Sequence, residues 1–319
     1  MKYLTQALKQ LDRESPPDDA VRRLSNLIGD EFDQFTRTWA QLSADQRCTL
    51  VARMVEAVEA DLELDFAQIF TLGLQDAEAR VRASCIEGLW EVEDIRLIRP
   101  LIRLMRSDDA ALVREAAATS LSRFALLAEL GKLQPHLADL IWDALWQTIH
   151  DTGEDLDVRR RAIESIAYFD RRQVRSIIEQ AYQHEEPRMR ISAIFAMGRS
   201  ADDDWSNTII DELDSNDVEM RFEAVRACGA LRLSETVGML SRIVADPDAE
   251  VKLMAVWALG QIGGPEARRV LEICYEQGNE ALQDAADEAM AEMDFMQGSL
   301  DFAMYDFDDD EDWDEDDDE

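Results

Sequence analysis

The chain has 319 residues, of which 46% are hydrophobic, and its 69 acidic residues outnumber 33 basic ones to give a formal net charge of −36. This composition excludes collagen-like and wholly disordered chains, and no apolar run approaches the ~18 to 20 residues of a membrane span. So negative a chain is repelled by nucleic acid phosphates and anionic membranes, and we expect a soluble helical protein that binds neither.

The N-terminal residues 1–42 are predicted to form a helical cap. This segment is amphipathic, is interrupted near Pro16, and carries Phe32, Phe35 and Trp39 at spacings that suit packing on the next unit. It lacks a continuous apolar stretch followed by a small-residue cleavage site, so it does not resemble a secretory signal. We therefore expect a cytoplasmic protein.

Residues 43–75 predict a first, divergent helical hairpin. Ser43 and Gln46 have the spacing of a capping box, and an apolar-periodic run follows them over residues 50–58. A second apolar segment over residues 64–74 supplies the partner helix.

From residue 76 onwards the sequence repeats. Each unit has an apolar residue followed by Arg, Lys or Gln, then small residues four and seven positions later and an apolar residue or cysteine eight positions later. The seven pairs that begin these units are Val81-Arg82, Val113-Arg114, Val158-Arg159, Met189-Arg190, Met220-Arg221, Val251-Lys252 and Leu282-Gln283. The last five are spaced by 31 residues. On a helix these offsets form one stripe, and its small residues allow another helix to approach closely.

A second amphipathic segment separates each pair of such helices, so every unit is predicted to be a helical hairpin. One hairpin cannot bury its apolar stripe alone, and stacked neighbours produce a solenoid. The longer step between Val113 and Val158 indicates an insertion at about 126–154, which either enlarges a binding face or is length variation without a function. The predicted fold is an all-α, right-handed α-solenoid over residues 43–293.

The repeated unit resembles the HEAT repeat. Its pattern, D-x-x-x-x-V-R-x-x-A-x-x-A-L-G, is visible from Asp246 to Gly260 with Lys252 in place of Arg, and is similar to the short repeats of the phycobilisome lyases. The resemblance covers residues 76 to about 293. It implies a structural ladder between adjacent repeats, formed by Asp76, Arg82, Asp108, Arg114, Arg159, Arg190, Asp217, Arg221, Asp246 and Lys252.

The C-terminal residues 294–319 differ from the rest of the chain. Thirteen of the last 19 residues are acidic and none is basic, which leaves a net charge of −23 on residues 1–300. Repulsion between these carboxylates predicts a disordered tail. The acidic residues are interrupted by aromatic residues, which favours an interaction segment, although a solubilising tail has the same composition. The aromatic residues that we assign to partner binding are Phe302, Tyr305, Phe307 and Trp313.

The inner wall of the solenoid is the predicted working surface. In the HEAT-like arrangement the third, sixth and tenth positions after each apolar start face the groove. The units at Val81 and Val113 have an ordinary polar lining there, whereas the later units combine arginines with aromatic residues, as binding hot spots do. The candidates are Arg161, Tyr168, Phe195, Arg199, Arg226, Met254 and Trp257. For Phe195 and Trp257 the alternative is packing against a neighbouring repeat.

The sequence contains little that points to catalysis. It has three histidines, and its four cysteines are far apart and fall at core positions or outside the groove. HEAT-like deoxyhypusine hydroxylases hold two irons with several His-Glu pairs, whereas this chain has one such pair, His184-Glu185. We expect no metal, no cofactor and no enzymatic activity.

The predicted function is a non-enzymatic protein-binding scaffold or chaperone-like adaptor. Its groove and acidic tail would hold a protein partner, one with a basic segment. The alternative is a chromophore-protein assembly factor like the phycobilisome lyases. Because the groove offers Arg161, Arg199 and Arg226 and the tail offers carboxylates, we also expect the tail to fold over the groove until a partner displaces it.

Overall fold

The structure is a computed structural model that describes the backbone of residues 2–11 and 15–305 and the side chains of residues 4–11 and 15–296. The described residues form helices joined by short loops and contain no β-strand. The chain divides into two compact units, unit 1 (Met1–Ala181) and unit 2 (Tyr182–Glu319).

Unit 1 begins with three short cap helices, which are followed by stacked helical hairpins. Its helices are α1 (Lys2–Leu8), α2 (Asp18–Arg22), α3 (Asp30–Trp39), α4 (Ala44–Ala60), α5 (Ala67–Gly73), α6 (Ala79–Gly88), α7 (Ile98–Ser107), α8 (Ala111–Glu129), α9 (Pro135–His150), α10 (Leu156–Ile166) and α11 (Arg172–Tyr182), which ends at the unit boundary. Helices α4, α6, α8 and α10 contact one another in series, and α5, α7 and α9 pack on one side of this row.

Unit 2 repeats the same arrangement. Its helices are α12 (Pro187–Arg199), α13 (Ser206–Glu212), α14 (Val218–Ala230), α15 (Val237–Ile243), α16 (Ala249–Ile262), α17 (Gly264–Gln277) and α18 (Glu280–Tyr305). Helices α12, α14, α16 and α18 contact one another in series, and α13, α15 and α17 form the second layer. Single 3-10 turns precede α7, α13 and α15.

The repeated sequence positions form the core. The apolar starts from Val81 to Val251 are buried, as are all seven small residues four positions later, from Cys85 to Ala286. In the last unit Leu282 is only half-buried, because no further helix is described beyond α18 to cover it. The capping box predicted at Ser43 is present, with both reciprocal hydrogen bonds to Gln46.

Glycines set the distance between the helices of the row in unit 2. A Cβ atom on Gly198 would lie 2.9 Å from the Ala227 Cα, and one on Gly229 would lie 2.8 Å from the Ala258 Cα. Real Cβ atoms do not approach backbone so closely. The 31-residue recurrence of glycine therefore reflects a repeated close approach between successive helices.

Two predicted boundaries can be compared with the helices. The insertion at 126–154 lengthens one hairpin, since α8 runs on to Glu129 and α9 has 16 residues.

The tail predicted to be disordered from residue 294 begins inside α18, which continues to Tyr305. The reason is that residues 280–305 lack proline and are rich in alanine, methionine and glutamate, which favour helix. Residues 306–319 lie outside the described residues.

Candidate functional site

A large groove, here called the unit 1 groove, crosses the helical row of unit 1. It has a volume of about 1060 Å³ and is lined by α4, α5, α6 and α8, by the loops after α4 and α6, and by Arg161 of α10. The ends of several helices meet there, so side chains from three hairpins share one surface.

Three large apolar side chains of the unit 1 groove are exposed to solvent. Leu62 is 80% exposed, Trp90 is 50% exposed and Leu112 is 44% exposed. Lone exposed apolar residues are ordinary on protein surfaces, but a set that lines one depression is typical of an interaction site. The polar residues that the sequence analysis expected to face the groove here, such as Ser84, Glu87 and Glu91, do line it, and the exposed apolar side chains come from positions outside those columns.

Carboxylates surround these apolar side chains. The lining of the unit 1 groove includes five acidic residues, Glu59, Asp65, Glu87, Glu91 and Glu115, against one basic residue, Arg161. The guanidinium of Arg161 donates to Glu115 at 3.1 Å and to Glu164 at 2.9 Å. Although burial opposes protonation, these carboxylates raise the pKa of Arg161. The groove therefore combines exposed apolar side chains with a net negative charge.

The positive charge predicted for the groove is thus neutralised in unit 1 by neighbouring carboxylates. Tyr168, the other candidate of this unit, lies half-buried in the turn after α10. It does not line the unit 1 groove, since the lining residues come from α4 to α8 and from Arg161. In unit 1 the structure places Arg161, but not Tyr168, in the groove.

In unit 2, three of the candidates contact one another. The Arg226 guanidinium lies 4.0 Å from the centre of the Phe195 ring, and the Arg199 guanidinium lies 5.4 Å from it. Arg226 also forms an ion pair with Glu223 at 2.7 Å. These contacts cover part of the half-buried Phe195 ring, and the Arg226 contact joins α14 to α12. A role for these three residues in partner binding stays a prediction.

The remaining candidates are Met254 and Trp257 of α16 and the aromatic residues near the C-terminus. Met254 and Trp257 are half-buried, and the Trp257 ring packs on Gly229 of α14, where an added Cβ atom would meet it at 2.8 Å. The Trp257 ring therefore makes the contact between repeats that was the alternative to groove exposure. The side chains of Phe302, Tyr305, Phe307 and Trp313 lie outside the described residues.

Charged contacts connect consecutive repeats. Arg82 of α6 donates to both carboxylate oxygens of Asp108 at 2.8 and 2.7 Å and also to the carbonyl oxygen of Asp76. Burial opposes ionisation of Asp108, but the Arg82 guanidinium and the N–H of Ala110 hold the pKa of Asp108 below its ordinary value. Arg221 and Asp246 form the corresponding pair in unit 2, at 3.1 and 3.2 Å.

Other predicted ladder residues have different partners. Asp76 accepts from Arg47 and from the Trp39 indole, so it joins the cap to the first hairpins. Arg114 pairs with Glu154, because a glycine stands at residue 153, the position that Asp108 and Asp246 occupy in their repeats. Arg159 donates to the Ile149 carbonyl, Arg190 donates to the His184 and Glu185 carbonyls, and Lys252 adds an attraction that lowers the pKa of Asp246.

Asp217 does not occupy the ladder position. Its carboxylate caps α14 by accepting from the N–H groups of Glu219 and Met220. The position six residues before Arg221 is Ser215, whose carbonyl oxygen accepts from that arginine at 2.8 Å. Assigning Asp217 to the ladder was wrong, because the loop contains two aspartates and a serine stands at the ladder register.

Comparison with known proteins agrees with this geometry. Residues 143–205 and 206–291 match the family model described as HEAT repeats. Residues 143–291 belong to the HEAT-repeat family. A search of curated protein sequences finds no match.

Several solved structures are similar to this chain at low identity. The complex of CpcE and CpcF of phycocyanin lyase from Nostoc sp. PCC7120 is 16% identical, with a TM-score of 0.46 over 72% of this chain and 93% of that one. YibA of Escherichia coli is 14% identical, with a TM-score of 0.45 over 87% and 95%. Human deoxyhypusine hydroxylase is 14% identical, with a TM-score of 0.37 over 92% and 96%. No functional conclusion follows from similarities of this size.

The cysteines of the HEAT array and its flanks are packing residues. Burial raises the pKa of Cys85 and of Cys274, and it raises the pKa of Cys228 to about 12. Burial likewise raises the pKa of Cys48 in the N-terminal hairpin. Because the thiolate is the reactive form, these thiols are poor nucleophiles.

His184 has a local structural contact. Its Nδ1 accepts from the N–H of Glu186, two residues later, at 3.1 Å. In another repeat the Asp108 carboxylate accepts from the N–H of Ala110 in the same way. Among the residues whose side chains are described, 4–11 and 15–296, no group of three His, Cys, Asp or Glu residues is placed to hold a metal ion. No helix of this part of the chain has the length and apolarity needed to cross a membrane.

One feature of the sequence could have predicted the unit 1 groove. Trp90 stands nine positions after Val81, in a column that otherwise holds only serine, alanine and glycine in the other six repeats. A single large residue in a column of small ones breaks the packing rule of the HEAT array. Leu62 and Leu112 carried no comparable signal, since they lie outside the repeated columns.

Proposed function

We propose that this protein is a non-enzymatic protein-binding adaptor that holds a basic, partly apolar segment of a partner in the unit 1 groove. The observation that supports this most directly is the combination of exposed Leu62, Trp90 and Leu112 with five surrounding carboxylates. Aromatic and aliphatic anchors supply binding energy when a partner covers them, and surrounding charges select the partner by sign.

The shape of the groove favours a helical segment. Its apolar side chains come from three successive hairpins, so a ligand that covers all of them must present apolar residues on one side over some distance. An amphipathic helix does this with residues spaced by three or four, and lysines or arginines on its flanks would meet Glu59, Glu87 and Glu91. The lining contains no cysteine, so we do not extend the proposal to chromophore attachment.

The experiment uses the full chain as bait for a displayed random-peptide library. We expect enriched peptides to combine lysine or arginine with apolar residues at helical spacing. Fluorescence anisotropy then measures their affinity for the wild type and for Trp90→Ser. Loss of a central aromatic anchor costs about 2 kcal/mol or more, which is roughly a thirty-fold weaker affinity.

Ile273→Ser is the matched control, because Ile273 is 53% exposed on α17 and lies outside the groove. It should leave peptide affinity unchanged, and circular dichroism should show both variants folded. Glu87→Gln together with Glu91→Gln should reduce the affinity and its dependence on salt. Enriched peptides that lack basic residues, or that bind Trp90→Ser as well as the wild type, would contradict the proposal.

A further inference from the structure

Helix α7 in the outer layer of unit 1 carries a row of arginines in this acidic chain. Arg99, Arg103 and Arg106 follow the i, i+4, i+7 spacing of one helical face, and all three are exposed. We call this row the α7 arginine stripe. It extends over about 10 Å of the helix axis, at ~1.5 Å per residue. Positive charges at adjacent turns repel one another, so the arrangement costs some helix stability.

No described carboxylate neutralises the stripe. Among the residues whose side chains are described, none forms a hydrogen bond or an ion pair with its three guanidinium groups. Arg96 in the preceding turn shows the alternative, since it is paired with Asp94 at 2.6 Å. The stripe is therefore a local positive surface on a strongly negative molecule.

The stripe borders a shallow pocket with an apolar floor. The pocket has a volume of about 310 Å³ and lies between α7 and α9. Beside the three arginines it is lined by Ile102, Ser107 and Leu140. This volume admits one large side chain. A ligand that fits must bring negative charges for the guanidinium groups and an apolar group for the floor.

We propose that the α7 arginine stripe binds a short acidic segment of a partner protein that carries one large apolar side chain. Guanidinium groups pair with carboxylates through two parallel hydrogen bonds. An extended chain covers about 10 Å in three to four residues, at ~3.3 Å each. The apolar side chain enters the pocket between Ile102 and Leu140 while carboxylates on either side of it pair with the arginines.

The negative charge of the whole chain favours a short segment over a long polyanion. At physiological salt exposed charges act over about 8 Å, so a ligand confined to the stripe meets mainly the three guanidinium groups. A nucleic acid or an anionic membrane extends beyond the stripe and meets a molecule with a net charge of −36. We therefore choose a peptide segment as the occupant.

This surface is separate from the unit 1 groove. The two share no lining residue, and the groove is surrounded by carboxylates whereas the stripe is positive. The inference therefore does not rest on the proposed function, and failure of either one leaves the other standing. With both surfaces occupied, the protein holds a basic segment and an acidic segment at the same time.

The test uses the full chain and a fluorescein-labelled heptapeptide, GDEFEDG, in which four carboxylates surround one phenylalanine. Fluorescence anisotropy should detect binding at low ionic strength, and added salt should weaken it. Two matched peptides separate the contributions. GNQFQNG keeps the ring without the charges, GDEGEDG keeps the charges without the ring, and we expect each to bind roughly ten-fold more weakly.

Two variants locate the site. Arg99→Gln, Arg103→Gln and Arg106→Gln together remove the charge of the stripe, and the affinity for GDEFEDG should fall roughly ten-fold. Leu140→Ala removes part of the apolar floor and should weaken GDEFEDG roughly three-fold. It should leave the affinity for GDEGEDG unchanged, because that peptide has no ring for the pocket.

The control removes the same amount of charge elsewhere. Arg172→Gln, Arg242→Gln and Arg269→Gln change three exposed arginines on three other helices, and the affinity should stay within about two-fold of the wild type. Circular dichroism should show all variants folded.

Several results would overturn the proposal. These are absence of GDEFEDG binding, equal affinity for GDEFEDG and GNQFQNG, and equal losses in both triple variants. An eight-nucleotide oligothymidylate that binds more tightly than GDEFEDG would make the stripe a nucleic acid site instead. Binding of GDEFEDG that appears only after deletion of residues 306–319 would identify the acidic segment of this chain as the occupant, which also contradicts the proposal.

Discussion

At the scale of single residues, the burial of each ion pair determines how much it contributes to the stability of the fold. Arg82 and Asp108 are largely buried and joined by two hydrogen bonds, while Arg96 and Asp94 form an equally short pair that is open to water. Water competes with exposed pairs, so distance alone does not predict the contribution of an ion pair to stability.

Replacing Arg82 by glutamine should destabilise the protein. The side chain is 14% exposed, and its loss leaves the Asp108 carboxylate without its two charge-assisted hydrogen bonds. We expect the free energy of unfolding to fall by about 2 kcal/mol. Arg96→Gln, at a side chain that is 87% exposed, should change it by less than about 0.5 kcal/mol in the same urea titration. Equal effects of the two changes would refute this account.

The same pair predicts a dependence on pH. Because the folded state holds the pKa of Asp108 below its ordinary value, this carboxylate contributes stability above its unfolded-state pKa, and the contribution is lost as the pH falls through the folded-state pKa. Asp108→Asn keeps an acceptor for the Ala110 N–H but has no charge. The difference in unfolding free energy between wild type and Asp108→Asn should be largest near neutral pH.

Urea unfolding of both proteins between pH 7 and pH 3 measures this difference. It should shrink towards zero below about pH 4, where an aspartate in the unfolded chain becomes protonated. A difference that stays constant over this range would show that Asp108 acts only through its shape.

At the scale of helices, small residues determine how the row in unit 2 is built. The glycines at 198, 229 and 260 recur every 31 residues, and each faces an alanine of the next helix at a distance that leaves no room for a Cβ atom. Glycine has a low helix propensity, but at these buried positions the closer approach of two helices brings more atoms into contact, which offsets that loss.

Gly229→Ala tests this explanation. The new methyl group would lie 2.8 Å from the Ala258 Cα and from the Trp257 ring, so α14 and α16 must separate. Overpacking costs about 1 to 3 kcal/mol, which exceeds the gain of at most ~1 kcal/mol in helix propensity, and we expect net destabilisation in thermal or urea unfolding.

Gly238→Ala supplies the opposite case. Gly238 lies in helix α15, and no atom is within 4 Å of where its Cβ would be. This change should leave stability unaltered or raise it by up to about 1 kcal/mol. If Gly229→Ala proved as harmless as Gly238→Ala, close helix approach would not explain the glycine column.

At the scale of the whole molecule, the net charge of −36 is the dominant electrostatic feature. Mutual repulsion of the carboxylates opposes compaction, and salt screens exposed charges more than the partly buried pairs such as Arg82 and Asp108. Added salt should therefore weaken the repulsion more than the attraction and stabilise the folded state.

Raising sodium chloride from about 0.05 M to about 0.5 M should increase the Tm by a few degrees, because the Debye length falls from above 10 Å to below 5 Å. Differential scanning calorimetry measures the shift. Removal of residues 301–319, which carry 13 of the acidic residues, should make the salt effect smaller. A Tm that falls with salt would mean that attractive surface pairs outweigh the repulsion.

Much of the architecture followed from sequence alone. The 31-residue period, the alternation of helices and the buried columns from Val81 to Val251 were all predicted, because apolar spacing along one helix is a local property. The capping box at Ser43 and the lengthened hairpin at the insertion follow from local rules for the same reason.

The candidate site depended on tertiary structure. Leu62, Trp90 and Leu112 come from a loop, a turn and the start of a helix, and only the stacking of three hairpins brings them into one groove. Likewise, sequence counted Arg161 as a free positive charge, but packing of α8 against α10 places Glu115 within 3.1 Å of it. Helical periodicity is a property of each segment by itself. The partner of a side chain depends instead on the distance between segments, which is set when the helices pack.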